Sequence, residues 1–239
     1  MATDVTSQRR TFVTLLSLAL LVPLSVAFLD RPVSSWSHGA LHGITAIDWP
    51  IYIVSPILPT ASLGLAAAGI ATLAGWRPGY WGRALIACCI AVLVADTLKE
   101  ELKFAFGRTW PETWINNNPS WIGDGTYAFA AFHGGRGWAS FPSGHMTLIT
   151  APVSVLWCVL ARLRWLWAGL VALVALGLLG SDYHFLGDVI AGTYLGAACG
   201  IGCAALLGVR PPPSAPWGKR HCKEGGTQWL SADVTSPEQ

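Results

Sequence analysis

Residues 165–208 read WLWAGLVALVALGLLGSDYHFLGDVIAGTYLGAACGIGCAALLG. Two apolar runs, 165–183 and 187–208, meet at a short junction that holds Tyr183, His184 and Asp188. Each run is close to the ~20 residues that cross a bilayer as a helix. Hydrocarbon offers no partner to an open strand edge, so helices are the natural reading. Working outward, four more runs of the same kind lie at 11–29, 51–75, 80–98 and 146–162. The predicted fold is all-α: a polytopic membrane protein of six transmembrane helices over residues 1–210, followed by a flexible cytoplasmic tail at 211–239 that opens with Pro211-Pro212-Pro213.

Composition supports this. The chain is 53% hydrophobic and 12% charged, against about 25% charge in an ordinary soluble domain. That excludes a disordered chain and an ordinary cytosolic enzyme, and a net charge of +2 implies no nucleic-acid partner. Cys88, Cys89, Cys158, Cys199 and Cys203 lie inside apolar runs, where thiols behave as small hydrophobes. No Cys-x-x-Cys pair or Cys/His cluster suggests a metal. Arg9-Arg10 precedes the first run, but no clear Ala-x-Ala cleavage site follows it, so that run is read as an uncleaved helix.

The distribution of Lys and Arg sets the expected orientation. With the N-terminus inside, ten of the 15 fall on inner segments, among them Arg77, Arg83, Arg162 and Arg164. The positive-inside rule then puts both termini in the cytoplasm. In the last run Gly192, Gly196 and Gly200 recur every four residues, a spacing that lets another helix approach closely. One connection is not short. Residues 99–145 lie on the outer side and carry Trp110, Trp114, Trp121, Phe129, Phe132, Trp138 and Phe141, so an ordered cap at the membrane surface is expected.

Three polar clusters fall at the outer ends of the spans. In Phe141-Pro142-Ser143-Gly144-His145, Ser143 can cap the fourth helix, whose free first-turn N–H groups can hold an anion. Gly144 admits close backbone approach, and His145 stands ready to give or take a proton. In the junction at 183–188, His184 and Asp188 share a face if the helix begins near His184, and the carboxylate then leaves one ring nitrogen as nucleophile or base. In the segment KFAFGRTWP at 103–111, Lys103 and Arg108 are cations able to neutralise phosphate oxygens. A helix ending near Gly107 would let Arg108 turn back toward Lys103. His133 is a further loop candidate, and Asn116-Asn117-Asn118 and Asp124-Gly125 read as turn chemistry.

This set resembles the type 2 phosphatidic acid phosphatase superfamily of membrane lipid phosphate phosphatases, most specifically over about residues 80–200. That family reads Lys-x6-Arg-Pro, then Pro-Ser-Gly-His, then Ser-Arg-x5-His-x3-Asp. Pro142-Ser143-Gly144-His145 and His184-x3-Asp188 match outright. The resemblance implies that His184 is the phosphate-accepting nucleophile, Asp188 its orienting partner and His145 the acid for the departing alkoxide. It also implies that Ser143, Gly144 and Lys103 hold the phosphoryl oxygens, with no metal and no cofactor. Its substrate would be a lipid phosphate monoester or a polyprenyl diphosphate, met at the outer face of a cell membrane. Two family arginines are absent, since Trp110 and Leu178 stand at their positions. A phosphoryl transition state needs cationic clamps, so Arg108 and Arg136 are read as substitutes; the alternative is a catalytically degenerate relative. A lipid-linked phosphotransferase using the same site is the enzymatic alternative, and a small transporter the non-enzymatic one. The pattern does not set the oligomeric state.

Overall fold

The computed structural model describes residues 16–17 and 20–209. Arg9-Arg10, the beginning of the first apolar run and the tail at 211–239 lie outside the described residues. Every named element among those described is helical. Residues 20–24 pass through a π-helical turn, Ser25–Leu29, into α1, Asp30–Leu41. There follow α2, Thr45–Tyr52; α3, Ile57–Leu73; α4, Tyr80–Phe106; α5, Gly144–Val159; α6, Arg164–Gly180; and α7, Leu186–Leu206.

Four helical stretches are long and apolar enough to cross a membrane: Thr45–Leu73, Tyr80–Phe106, Ala161–Gly180 and Leu186–Leu206. Among the described residues four of the six expected spans thus meet the length of a full crossing. The run at 146–162 makes the shorter α5, whose 16 residues span about 24 Å at 1.5 Å per residue, less than the ~30 Å of hydrocarbon. The run at 11–29 is described only in part.

Two further departures have local causes. The run at 51–75 is not one regular helix, because turns at 53–56 separate α2 from α3. Pro56 has no N–H to continue the α2 ladder toward Tyr52, and Ser55 N–H takes that carbonyl at 3.3 Å instead. The segment after Leu29, outside the apolar runs, forms α1 and buries Asp30 completely.

Helix α4 runs eight residues past the expected end, to Phe106, and stops at Gly107 as its sequence suggested. Gly107 has φ +53°, and its N–H bonds Lys103 O at 2.9 Å. A Cβ there would sit 1.9 Å from Ala130 O, so only glycine fits the cap.

The tightest helix pair is α5 against α7, and the four-residue glycine repeat makes it. A Cβ on Gly192, Gly196 or Gly200 would lie 2.4, 2.5 or 2.2 Å from the carbonyls of Ser143, Thr147 or Ala151. Three carbonyls one helical turn apart, from the α5 N-cap onward, therefore rest on bare α7 backbone. Gly196→Ala forces the helices apart and is expected to destabilise the protein by about 1–3 kcal/mol, as overpacking does. A thermal-shift measurement in detergent checks this, and an unchanged midpoint would contradict the packing.

Residues 107–143 form the ordered cap expected from their aromatic content. Thr109 N–H bonds Ala128 O at 3.1 Å, Ala130 N–H bonds Gly107 O at 2.7 Å, and Ser140 N–H bonds Arg108 O at 3.2 Å. Asn116 and Asn117 take φ of 47° and 55°, and Asp124 accepts the N–H groups of Ser120 and Thr126, so both Asn/Asp stretches are turn chemistry.

Candidate active site

The cap and the helix ends next to it enclose a cavity of about 530 Å³. His145, His184, Gly144, Lys103 and Arg136 all line it. Five of the residues singled out from sequence, spread over more than eighty positions, thus line one cavity.

Local structure explains each placement. Ser143 is the N-cap of α5, and its hydroxyl accepts the Met146 N–H at 3.4 Å. The N–H groups of Gly144 and His145 belong to the first turn, which has no intrahelical acceptor for them. Ser143 N–H itself donates to Asp188 O at 3.0 Å and ties the two histidine segments together.

His184 precedes α7 rather than lying in it, because Phe185 is extended (φ −71°, ψ 158°) and the helix starts at Leu186. Its turn is held by a single carbonyl: Leu178 O accepts the N–H groups of both Tyr183 and His184, at 3.0 and 3.2 Å. His184 Nδ1 lies 3.5 Å from Asp188 Oδ2, which leaves Nε2 as the ring nitrogen not turned to the carboxylate. Asp188 in turn accepts the Ser140 hydroxyl at 2.5 Å and the Phe185 N–H at 3.1 Å. Burial pushes the His184 imidazole below its ordinary pKa, opposed by Asp188 and reinforced by the charges of Lys103 and Arg108. This shift favours the neutral ring. The His145 and His184 ring centroids are 6.4 Å apart, with Tyr183 set edge-on to both.

Arg108 is not where a phosphate contact would put it. It does not line the cavity; it is fully buried behind it. One terminal nitrogen pairs with Asp188 Oδ1, and the other lies 2.5 Å from Asp30 Oδ2 and 2.7 Å from the Tyr127 hydroxyl. Its guanidinium carbon also sits 4.4 Å from the Phe185 ring centroid and 4.7 Å from that of Phe129. The expectation of a clamp at Arg108 therefore gives way to a buried Asp30–Arg108–Asp188 bridge. The physical reason is that two desolvated carboxylates claim both arms of the fork.

The third cation of the cavity has no role in the sequence reading. Lys99 lies four residues before Lys103, on the same face of α4, and lines the cavity with it. A Cβ on Gly144 would sit 3.1 Å from Lys99 Cε and 3.5 Å from Lys103 Nζ, so the glycine admits both ammonium stems to the α5 N-terminus. Glu100 bridges them, 2.5 Å from Lys99 Nζ and 3.9 Å from Lys103 Nζ. The signal was present as an i,i+4 lysine pair; Ser140 and Asp30 had no such signal. His133 does not line the cavity: it is exposed, stacks near Trp138 and bonds Gly134 O at 2.7 Å.

The sequence model of the PAP2 superfamily matches residues 84–211. The chain belongs to the PAP2 superfamily. No curated protein and no solved structure matches it. Membership supports a phosphatase-type function, and with four long apolar helices it fits a multi-pass membrane protein. The PAP2 match runs from α4 to just beyond α7 and takes in His145, His184, Asp188, Lys99, Lys103 and Arg136, but not Asp30. Within this PAP2 chain the two positions lacking arginine are occupied differently. Trp110 is buried against His184, with ring centroids 5.1 Å apart. Leu178 is a buried core residue whose carbonyl holds the His184 turn.

Proposed function

We propose that this PAP2 protein hydrolyses a lipid phosphate monoester or a polyprenyl diphosphate through a phosphohistidine on His184. The observation that carries the reading is that His184 and His145 line one cavity together with Lys99, Lys103 and Arg136. His184 Nε2 attacks phosphorus and the P–O bond to the leaving alkoxide breaks; His145, which takes up a proton beside the bound phosphate against the burial and neighbouring charges that otherwise hold its pKa down to about 3, gives that oxygen the proton. Water then attacks the phosphoramidate, with His145 as base, and His184 departs neutral. The three cations and the first-turn N–H groups of Gly144 and His145 take up the charge on the equatorial oxygens. A lipid substrate suits the other wall of the cavity, where Val54, Leu58 and Leu148 offer an apolar surface. Phosphate release from a panel of lipid phosphates, with His184→Ala as control, tests the reading.

Charge removal should separate the clamp from the scaffold. Lys103→Ala and Arg136→Ala are each expected to lower kcat/KM more than about tenfold, or 1.4 kcal/mol of transition-state stabilisation. Arg136→Lys should rescue only in part, because an ammonium cannot match two oxygens at once. Near-normal kinetics in both alanine variants would remove these residues from the site.

The site is proposed to face the outer side, with both termini cytoplasmic. The support is the Lys/Arg asymmetry. Reporters fused after Arg77 or Arg164 should then register cytoplasm, and one within 115–125 the opposite side. A cytoplasmic signal from the 115–125 fusion would reverse the assignment.

A further inference from the structure

Beside the nucleophile turn, but outside the cavity lining, four potential metal-ligand side chains converge from three parts of the chain. His38 and His42 are four residues apart at the end of α1, so one helical turn brings both rings to one side, with centroids 4.3 Å apart. Both direct Nδ1 at a single oxygen: His38 Nδ1 is 2.8 Å and His42 Nδ1 3.3 Å from Asp182 Oδ2. Glu112, from the cap, brings Oε2 to 3.6 Å from His42 Nδ1. One donor atom from each of the four lies within 4.8 Å of all the others. A tetrahedral ion with bonds of about 2.0–2.1 Å needs its donors about 3.4 Å apart, and the observed separations straddle that edge.

Asp182 is the second, independent observation. Its side chain is fully buried, and its Oδ1 has no hydrogen-bond partner among the described residues. Its backbone is held at φ +55°, where non-glycine residues are uncommon. Among the described residues its ion-pair partners are the two histidines and no lysine or arginine. A desolvated carboxylate with an orphan oxygen costs free energy unless a cation meets it. The rings of His38 and His42 and the Glu112 side chain remain 31%, 52% and 31% exposed, which leaves an ion a way in.

We propose that His38, His42, Glu112 and Asp182 bind one divalent transition-metal ion of the zinc class. Two imidazoles with two carboxylates suit such an ion; magnesium and calcium want oxygen alone. The ion ties α1, the cap and the α6–α7 turn together two residues before His184. It is a structural tie, takes no part in phosphoryl transfer and does not depend on the phosphatase reading. The rival arrangement is two imidazole N–H groups donating to Asp182 with no ion present.

The test uses the full chain in detergent, without a polyhistidine tag, stripped with a chelator and titrated with Co²⁺ and then Zn²⁺. One equivalent of Co²⁺ should bind with the visible absorption of a four-coordinate ion, and Zn²⁺ should displace it. His38→Ala and His42→Ala should each weaken binding by more than about tenfold, since even outer partners of a ligand are worth that much, and the double variant should abolish it. Zn²⁺ should raise the melting midpoint of the wild type only. No stoichiometric binding by the wild type, or binding unaltered in the double variant, overturns the proposal. The wild-type titration decides even if a variant does not fold.

Discussion

His184→Ala should lower turnover of a lipid phosphate by at least about 10⁴-fold, the scale on which loss of a nucleophile is felt. Three features of the site make the loss this large. Nδ1 is turned to Asp188 at 3.5 Å, so Nε2 is the one ring nitrogen left for attack. Burial lowers the imidazole pKa, which favours the unprotonated, reactive form. The second imidazole of the cavity, His145, is proposed as the proton carrier, and the Lys99 ammonium is paired with Glu100. The same variant should trap no label when the enzyme is quenched in alkali during turnover of a ³²P-labelled substrate, whereas the wild type retains an acid-labile phosphoramidate. Asp188→Asn should leave a residual rate and some label, because Asp188 holds the ring and does not touch phosphorus. A labelled intermediate in His184→Ala would move the nucleophile elsewhere and overturn the proposed reaction.

What the sequence makes legible is local chemistry. The spacing of Gly192, Gly196 and Gly200 contains the α5–α7 contact, because a helix repeats its face every four residues. Ser143 before an apolar run contains its own cap, and Gly107 its own helix end. The same kind of reading would have reached Lys99, one turn before Lys103. What is not legible is pairing across distance. The partners of Arg108 are Asp30 and Asp188, 78 and 80 residues away, and nothing near Arg108 distinguishes a guanidinium that meets substrate from one that meets buried carboxylates. The four proposed metal ligands are missed for the same reason. His38 and His42 have a ligand-like spacing, but Glu112 and Asp182 join them only through the fold. The break at 53–56 was signalled by Pro56, which a hydropathy run averages away.

Arg108→Ala should be the most destabilising single change in the protein. It removes the one cation from between two fully buried carboxylates, Asp30 and Asp188, and leaves both charges desolvated. Breaking a buried ion pair in this way costs about 3–5 kcal/mol, a large share of the 5–15 kcal/mol that holds a typical domain together. The loss spreads further. Asp30 also accepts the Gly187 N–H at 2.7 Å and the Ser25 hydroxyl at 2.8 Å, so the start of α7 is anchored to the chain before α1 through the same carboxylate. Arg108→Lys keeps a positive charge but cannot fork to both acids. It should fold with a clearly lowered melting midpoint and a reduced kcat, because Asp188 no longer holds His184 squarely. Inhibition by inorganic phosphate separates this role from that of a clamp. A residue that touches the phosphoryl group loses phosphate affinity when shortened, as expected for Arg136→Ala. A residue behind Asp188 does not, so Arg108→Lys should bind phosphate within about twofold of the wild type, well under the tenfold that 1.4 kcal/mol represents. An Arg108→Lys protein with an unchanged melting midpoint and strongly weakened phosphate binding would return Arg108 to the cavity and dissolve the Asp30–Arg108–Asp188 bridge as the support of the nucleophile.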